Sequence, residues 1–327
     1  MIEKSKYVFI IGAGASIPYN FPSGLQLYQI IKNEIARYVF EYIKHPTPSV
    51  PFDPHEIEAV AKDFSQALMI TEGISIDKYI NINKKYEDIG IKAIATAIIK
   101  RENILNLPIY KKDIEDNWYS YLFQKMIEGL NTANELLEIY KNKITFITFN
   151  YDRSFEQYLY LNLIGLLKNS GKTETEITES IKKIKIIHVY GQVGLLPWQA
   201  TSNQKGLVLE YGKYDRSAFE NAERIKPLIE VMYSKRKESM IIKNIQKIIK
   251  SADRILFIGF GFDDDNMRIL GFPFDLNEKK VNGTAYEKTN NEILHMENKI
   301  GTSISSSYGI RMLQDCNSTH LLREYLI

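Results

Sequence analysis

The chain has 327 residues, 44% of them hydrophobic and 25% charged, which is the composition of an ordinary globular protein with enough length for one large domain or two smaller ones. Its net charge of +2 gives no electrostatic argument for nucleic acid or for a membrane surface. Cys316 is the only cysteine, which excludes a disulfide within the chain and a zinc site built from cysteines.

No signal-like segment precedes the first strand and no apolar run reaches membrane-spanning length, so the cytoplasm is the expected location. Tyr7 to Ile11 is a short, continuous apolar run and reads as a strand buried on both faces, as in a parallel sheet. It enters Gly12, Ala13, Gly14, Ala15 and Ser16, small residues that permit a sharp turn and a close approach of backbone to a ligand. A helical pattern over 24–44 follows, and strand, glycine turn and helix together offer backbone N–H groups to a phosphate. The usual dinucleotide fingerprint is incomplete. Ile17 stands in place of the third glycine, and no second strand ending in an acid follows about 20 residues on.

Pro46 to Pro54 reads as a loop, and helical periodicity then continues with breaks to about Tyr140, clearest over Ile89–Ile99 and Trp118–Leu137. Residues 45–140 are therefore expected to form a large helical insertion packed on a sheet domain made of 1–44 and 141–327. His45 and His55 lack neighbours at metal-ligand spacing and read as surface residues. The sheet returns at Ile144–Phe149, which runs into Asn150-Tyr151-Asp152 and a helix over 155–167. A Lys/Thr/Glu-rich linker over 168–178 leads to a strand over 184–189 that ends in His188-Val189-Tyr190-Gly191. Residues 217–250 read as helical, with a solvated charge run at Ser234–Glu238. Arg254–Ile258 is a further apolar strand, followed by Gly259-Phe260-Gly261-Phe262 and Asp263 to Asn266. Late strands over 280–286 and 308–313, with helices over 288–300 and 318–325, complete the pattern. The class is α/β and Rossmann-like, with a mainly parallel sheet and helices on both faces.

Four strands end in unusual residues: Gly12–Ser16, Asn150–Asp152, His188–Gly191 and Gly259–Asn266. In a parallel sheet these ends share one edge, where ligands bind. Asp263 also reads as a helix N-cap, and the acidic residues 263–265 could instead serve a magnesium-dependent phosphohydrolase.

The motif Gly-Ala-Gly-Ala-Ser with Ile17-Pro18, then Thr148-Phe149-Asn150-Tyr151-Asp152, then His188 with Gly191 nearby, resembles the sirtuin superfamily in order and spacing. More closely it resembles the SIR2-like domains of bacterial antiphage defence systems, whose late nucleotide-contacting turn is similar to Gly259–Asn266. Three features depart from protein-deacylating sirtuins: the four zinc cysteines are absent, Pro18-Tyr19-Asn20-Phe21 replaces Pro-Asp-Phe-Arg, and His188 and Gly191 are not adjacent. The resemblance implies NAD+ as substrate with water as acceptor, no metal, and depletion of NAD+ in abortive infection. It also implies a homo-oligomer or a defence partner such as a HerA-like ATPase or an Argonaute-like protein, without direct contact to nucleic acid or membrane. On this reading Asn150 orients water or a ribose hydroxyl. A neutral His188 acts as general base or holds the ribose, and Asp152 fixes the loop or stabilises positive charge. Gly12, Ala13, Gly14, Ala15 and Ser16 would cradle the diphosphate. Gly259 and Gly261 would admit the adenosine half, and Thr148, Gly191, Asp263 and Asn266 would complete the binding set. The alternatives are a subunit that binds NAD+ or another nucleotide without cleaving it, and a zinc-free deacylase.

Overall fold

The computed structural model describes residues 2, 4–44, 53–213, 217–229, 240–274, 276, 279–301 and 311–326. His45, most of the 46–54 loop, the charge run at 234–238 and residues 308–310 of the last expected strand lie outside the described residues. Among the described residues six strands form one sheet: β1 Tyr7–Ile11, β2 Ile144–Thr148, β3 Lys185–His188, β4 Arg254–Ile258, β5 Lys280–Thr284 and β6 Leu313–Gln314. The order is β3-β2-β1-β4-β5-β6 and every pairing is parallel, so the expected α/β architecture is present. β1 lies between β2 and β4, and all five of its residues are buried, which is why its sequence is apolar without alternation. β3 is an edge strand and tolerates the exposed Lys185.

The helices are α1 Gly24–Lys44, α2 Pro54–Met69, α3 Ile76–Ile82, α4 Glu87–Ile99, α5 Trp118–Ile127, α6 Ala133–Leu136 and α7 Ser154–Leu167. They continue with α8 Glu174–Lys182, α9 Ala218–Ile225, α10 Met240–Lys250, α11 Asp264–Leu270, α12 Asn290–Ile300 and α13 Ser318–Tyr325. α4 packs against both α1 and α9, and buried residues surround it on most sides, which suits its nearly all-apolar sequence. On one face of the sheet an aromatic chain fills the core. Phe9 meets Phe146 at 5.2 Å, Phe146 meets Phe155 at 4.9 Å, and Phe155 stacks on Trp118 at 5.6 Å.

Three local expectations change. The Lys/Thr/Glu-rich linker contains α8, whose start is a capping box between Thr173 and Glu176 and whose buried stripe is Ile177 and Ile181. The helix expected over 118–137 breaks after Ile127, where Gly129 takes φ +83°, and resumes as α6 behind the Thr132–Glu135 capping box. The glycine turn continues into a 3-10 helix over Ala13–Tyr19, which Asn20 ends in the left-handed conformation.

Candidate active site

The glycine turn and the late turn are stitched to each other. Gly12 N–H donates to Ile258 O at 3.0 Å, Gly14 N–H to Gly259 O at 2.9 Å, and Ala15 N–H to Gly12 O at 3.0 Å. The small residues serve this approach. A Cβ on Gly12 would stand 2.6 Å from Gly259 O, and one on Gly259, at φ +56°, would stand 2.0 Å from Ala15 N. The N–H groups of Gly12, Gly14 and Ala15 therefore already have partners within the chain.

Beside this turn the end of β2 supplies a chain of donors. The Asn150 carboxamide donates to Gly12 O at 3.0 Å and to Ser16 Oγ at 2.9 Å. Ser16 in turn donates to Asp152 Oδ2 at 2.8 Å. The other Asp152 oxygen accepts from Ser154 N–H at 3.1 Å and from the Ser154 hydroxyl, which the Tyr119 hydroxyl meets at 2.7 Å. Since the Ser16 and Ser154 protons go to Asp152, Asn150 and Tyr119 are the donors to those hydroxyls, and both chains end on the carboxylate. Burial pushes the Asp152 carboxyl above the ordinary range, while the bonds from Ser154 and Ser16 oppose that shift.

His188, the last residue of β3, has a side chain only 8% exposed. Its Nδ1 lies 3.0 Å from the Asn150 carbonyl oxygen and its Nε2 lies 2.5 Å from Glu156 Oε1. A carbonyl and a carboxylate both accept, so this geometry favours an imidazolium that donates from both ring nitrogens. Burial opposes the charge, but the Glu156 carboxylate outweighs it and the pKa rises above 6.5. This arrangement does not favour the expected neutral His188 acting as base, because a ring that donates from both nitrogens has no lone pair to offer. Sequence reasoning missed Glu156. The available signal was its position four residues after Asp152, on the first turn of α7.

The His188–Glu156 pairing predicts a pH dependence. Because the folded pKa is raised, the stabilisation is fully present below the unfolded value of 6.5 and is lost as pH rises through the folded one. Glu156→Gln should therefore be less stable than wild type near pH 6, with the gap narrowing as the pH rises from there through the folded pKa. Urea denaturation of both proteins across that range checks this, and a gap independent of pH would contradict it.

Asn150, His188, Asp152, Ser16 and Thr148 line one cavity of about 20 Å³, closed by Trp118, Tyr119 and Phe155. That volume holds about one water molecule. Thr148 Oγ1 accepts the Asn150 N–H at 3.1 Å. Other expected site residues lie outside this cavity. Gly191 takes φ +78° and abuts Leu228 O, where a Cβ would stand 1.7 Å away. Asp263 caps α11, as its position predicts, and Asn266 accepts from the Tyr190 hydroxyl. Gly261 has open space where a side chain would be. Among the described residues no group of three His, Cys, Asp or Glu converges as a metal site.

The helical segment reaches these loops directly. Trp118 Nε1–H donates to Ala15 O at 2.8 Å, the Tyr151 hydroxyl to Asp77 Oδ1 at 2.8 Å, and Arg153 forms a two-point ion pair with Glu102 at 2.9 and 2.5 Å. A second hollow, of about 700 Å³, lies along the other side of the Ala13–Tyr19 helix and is lined by Ile17, Asn20, Phe21, Leu25, Gln29 and Arg101.

A wholly parallel sheet in this order, with polar side chains gathered at the C-terminal strand ends, is an α/β sheet of the dinucleotide-binding kind. Residues 144–272 match the family described as the SIR2-like domain. SIR2-like domains use NAD+. The comparison with curated proteins finds no match. The amide, hydroxyl and carboxylate groups around the cavity suit a ribose and a water, but 20 Å³ does not hold a dinucleotide.

Proposed function

We propose that this protein is an NAD+ glycohydrolase that breaks the nicotinamide–ribose bond and passes the sugar to water. The observation that carries the reading is the shared cavity. The carboxamide of Asn150, the hydroxyl of Ser16 and the carboxylate of Asp152 face a space the size of one water, at the sheet edge where ligands bind.

Nicotinamide leaves NAD+ as a neutral molecule, so the leaving group needs no proton. The demand falls on the sugar, which develops positive charge in an oxocarbenium-like transition state. Two carboxylates line the cavity, and Glu156 is committed to His188. Asp152 is left to stabilise that charge and to take the proton that water loses as its oxygen bonds to the anomeric carbon. Asn150 positions the water or a ribose hydroxyl. His188 holds the Asn150 backbone through Nδ1–H and acts as a positioning residue.

Depletion of NAD+ suits an abortive-infection defence, and an enzyme of this kind must be gated. Self-association, or a partner such as a HerA-like ATPase or an Argonaute-like protein, would supply the gate in the cytoplasm. Among the described residues no helix is long and apolar enough to cross a membrane.

A second reading, a subunit that binds NAD+ without cleaving it, draws support from the small cavity and from the engaged N–H groups of the glycine turn. Incubation of the protein with NAD+, alone and with its genomic neighbour, separates the two. Nicotinamide and ADP-ribose should appear with wild type, and Asn150→Ala should lower the rate by at least about a hundredfold, or about 2.7 kcal/mol. Binding without turnover in every assembly state would favour the second reading.

A further inference from the structure

The hollow of about 700 Å³ beside the Ala13–Tyr19 helix takes no part in the NAD+ reading, yet its size lies within the roughly 300–1,000 Å³ of small-molecule sites. Its apolar surface includes Ile17, 47% exposed, and Leu25, 65% exposed. Ile17 stands where the dinucleotide fingerprint has its third glycine, and here it lines the hollow. The polar lining is three carboxamides, Asn20, Gln26 and Gln29, with Arg101 and Glu72 as the charged groups. Gln26 Oε1 accepts from Ser23 N–H at 2.8 Å, which leaves its NH2 group as a donor.

The two charges are not equivalent. Glu72 faces Lys32 Nζ at 4.0 Å, so its charge is already offset. Arg101 donates from Nη1 to Ala97 O at 2.8 Å, a neutral partner. Glu34 is within its electrostatic reach, but that carboxylate accepts from Arg37 and from the Tyr38 hydroxyl at 2.7 Å each. The guanidinium is therefore the charge that an anion entering the hollow meets. A purely apolar acid would leave the three amides unmatched. A sugar would leave Ile17 and Leu25 unmatched and Arg101 without an anion. A nucleoside monophosphate satisfies all of them: the base has apolar faces and a polar edge, and the phosphate accepts from a guanidinium at two points.

The walls of the hollow lead to the loop at Asn150 by three short routes. Ile17 follows Ser16, which accepts from Asn150 and donates to Asp152. Gly73 leads into α3, whose Asp77 accepts from the Tyr151 hydroxyl. Arg101 precedes Glu102, which holds Arg153. We propose that the hollow binds a nucleoside monophosphate, with the phosphate on Arg101 and the base between Ile17 and Leu25, and that its occupancy steadies residues 149–154. Binding and steadying stand on the hollow alone; an effect on turnover rests on the NAD+ reading of the Asn150 cavity.

The probe is AMP, with adenosine beside it, on wild type and two variants. Arg101→Gln removes the charge, and Leu25→Glu places a repelling carboxylate on an exposed helical position. By calorimetry AMP should bind wild type, and should bind each variant about tenfold more weakly; adenosine should bind wild type about tenfold more weakly than AMP. Amide hydrogen exchange over residues 149–154 should slow about fivefold when AMP saturates wild type. No binding at millimolar AMP, or equal binding by wild type and Leu25→Glu, overturns the site. Equal binding of AMP and adenosine overturns the role of Arg101. Binding with unchanged exchange overturns the coupling. Displacement of AMP by NAD+ in direct competition would make the hollow part of the substrate site and overturn a separate one. Absence of nicotinamide release in every sample overturns the NAD+ reading instead, and binding and exchange still decide this proposal.

Discussion

Gly259→Ala is expected to cost about 4 kcal/mol or more, a large share of the roughly 5–15 kcal/mol that keeps a domain folded. A Cβ at this position would stand 2.0 Å from Ala15 N and 2.4 Å from Gly14 C. Those neighbours are backbone, so no rotamer change relieves the clash. The φ of +56° adds strain for any residue with a side chain. Movement of either turn would break the Gly14 N–H to Gly259 O bond and disturb Gly12 O, on which Asn150 depends. Gly261→Ala is the control, two residues away. Nothing lies within 4 Å of its added Cβ, so its effect should stay within about 0.5 kcal/mol. Urea denaturation of the two variants beside wild type decides the matter, and equal stability of both would contradict the packing described here.

Arg153→Met should destabilise the protein by about 3–5 kcal/mol. The Arg153 side chain is fully buried and that of Glu102 is 1% exposed. The guanidinium donates twice to Glu102 and once to Leu209 O at 2.6 Å. Removing it strands a carboxylate that burial already pushes above its ordinary range, against the pull of Arg153. Replacing both partners, as Arg153→Met with Glu102→Leu, should recover much of the loss, because the stranded charge disappears with its partner. A double-mutant cycle from urea denaturation measures the coupling, and additive losses would contradict it. The pair also joins the end of α4 to the loop between Asn150 and α7, so the single variant should lower site occupancy as well as stability.

Features that depend on neighbouring residues were legible in the sequence. Tyr7–Ile11 and Arg254–Ile258 match their strands because a central parallel strand is apolar on both faces. α1 and α13 keep the limits that periodicity gives them, and Asp263 caps its helix. The ordered motifs led to the SIR2-like domain and brought Ser16, Asn150, Asp152 and His188 to one cavity. Long-range chemistry was not legible. His188 pairs with Glu156, 32 residues earlier, and no local pattern encodes that distance. The glycines at 12, 14 and 259 look alike as ligand-approach residues, yet their size serves the approach of one turn to the other. The helical segment reads as an insertion, but its Asp77, Glu102 and Trp118 hold the site loops in place.

The central claim is that the cavity shared by Asn150 and Asp152 breaks NAD+. The most direct measurement is nicotinamide release in a single turnover, with wild type and Asn150→Ala compared at equal folded fraction. Release by wild type, reduced by at least about a hundredfold in the variant, is the predicted result. Equal release by the two proteins would place the chemistry elsewhere and contradict the account.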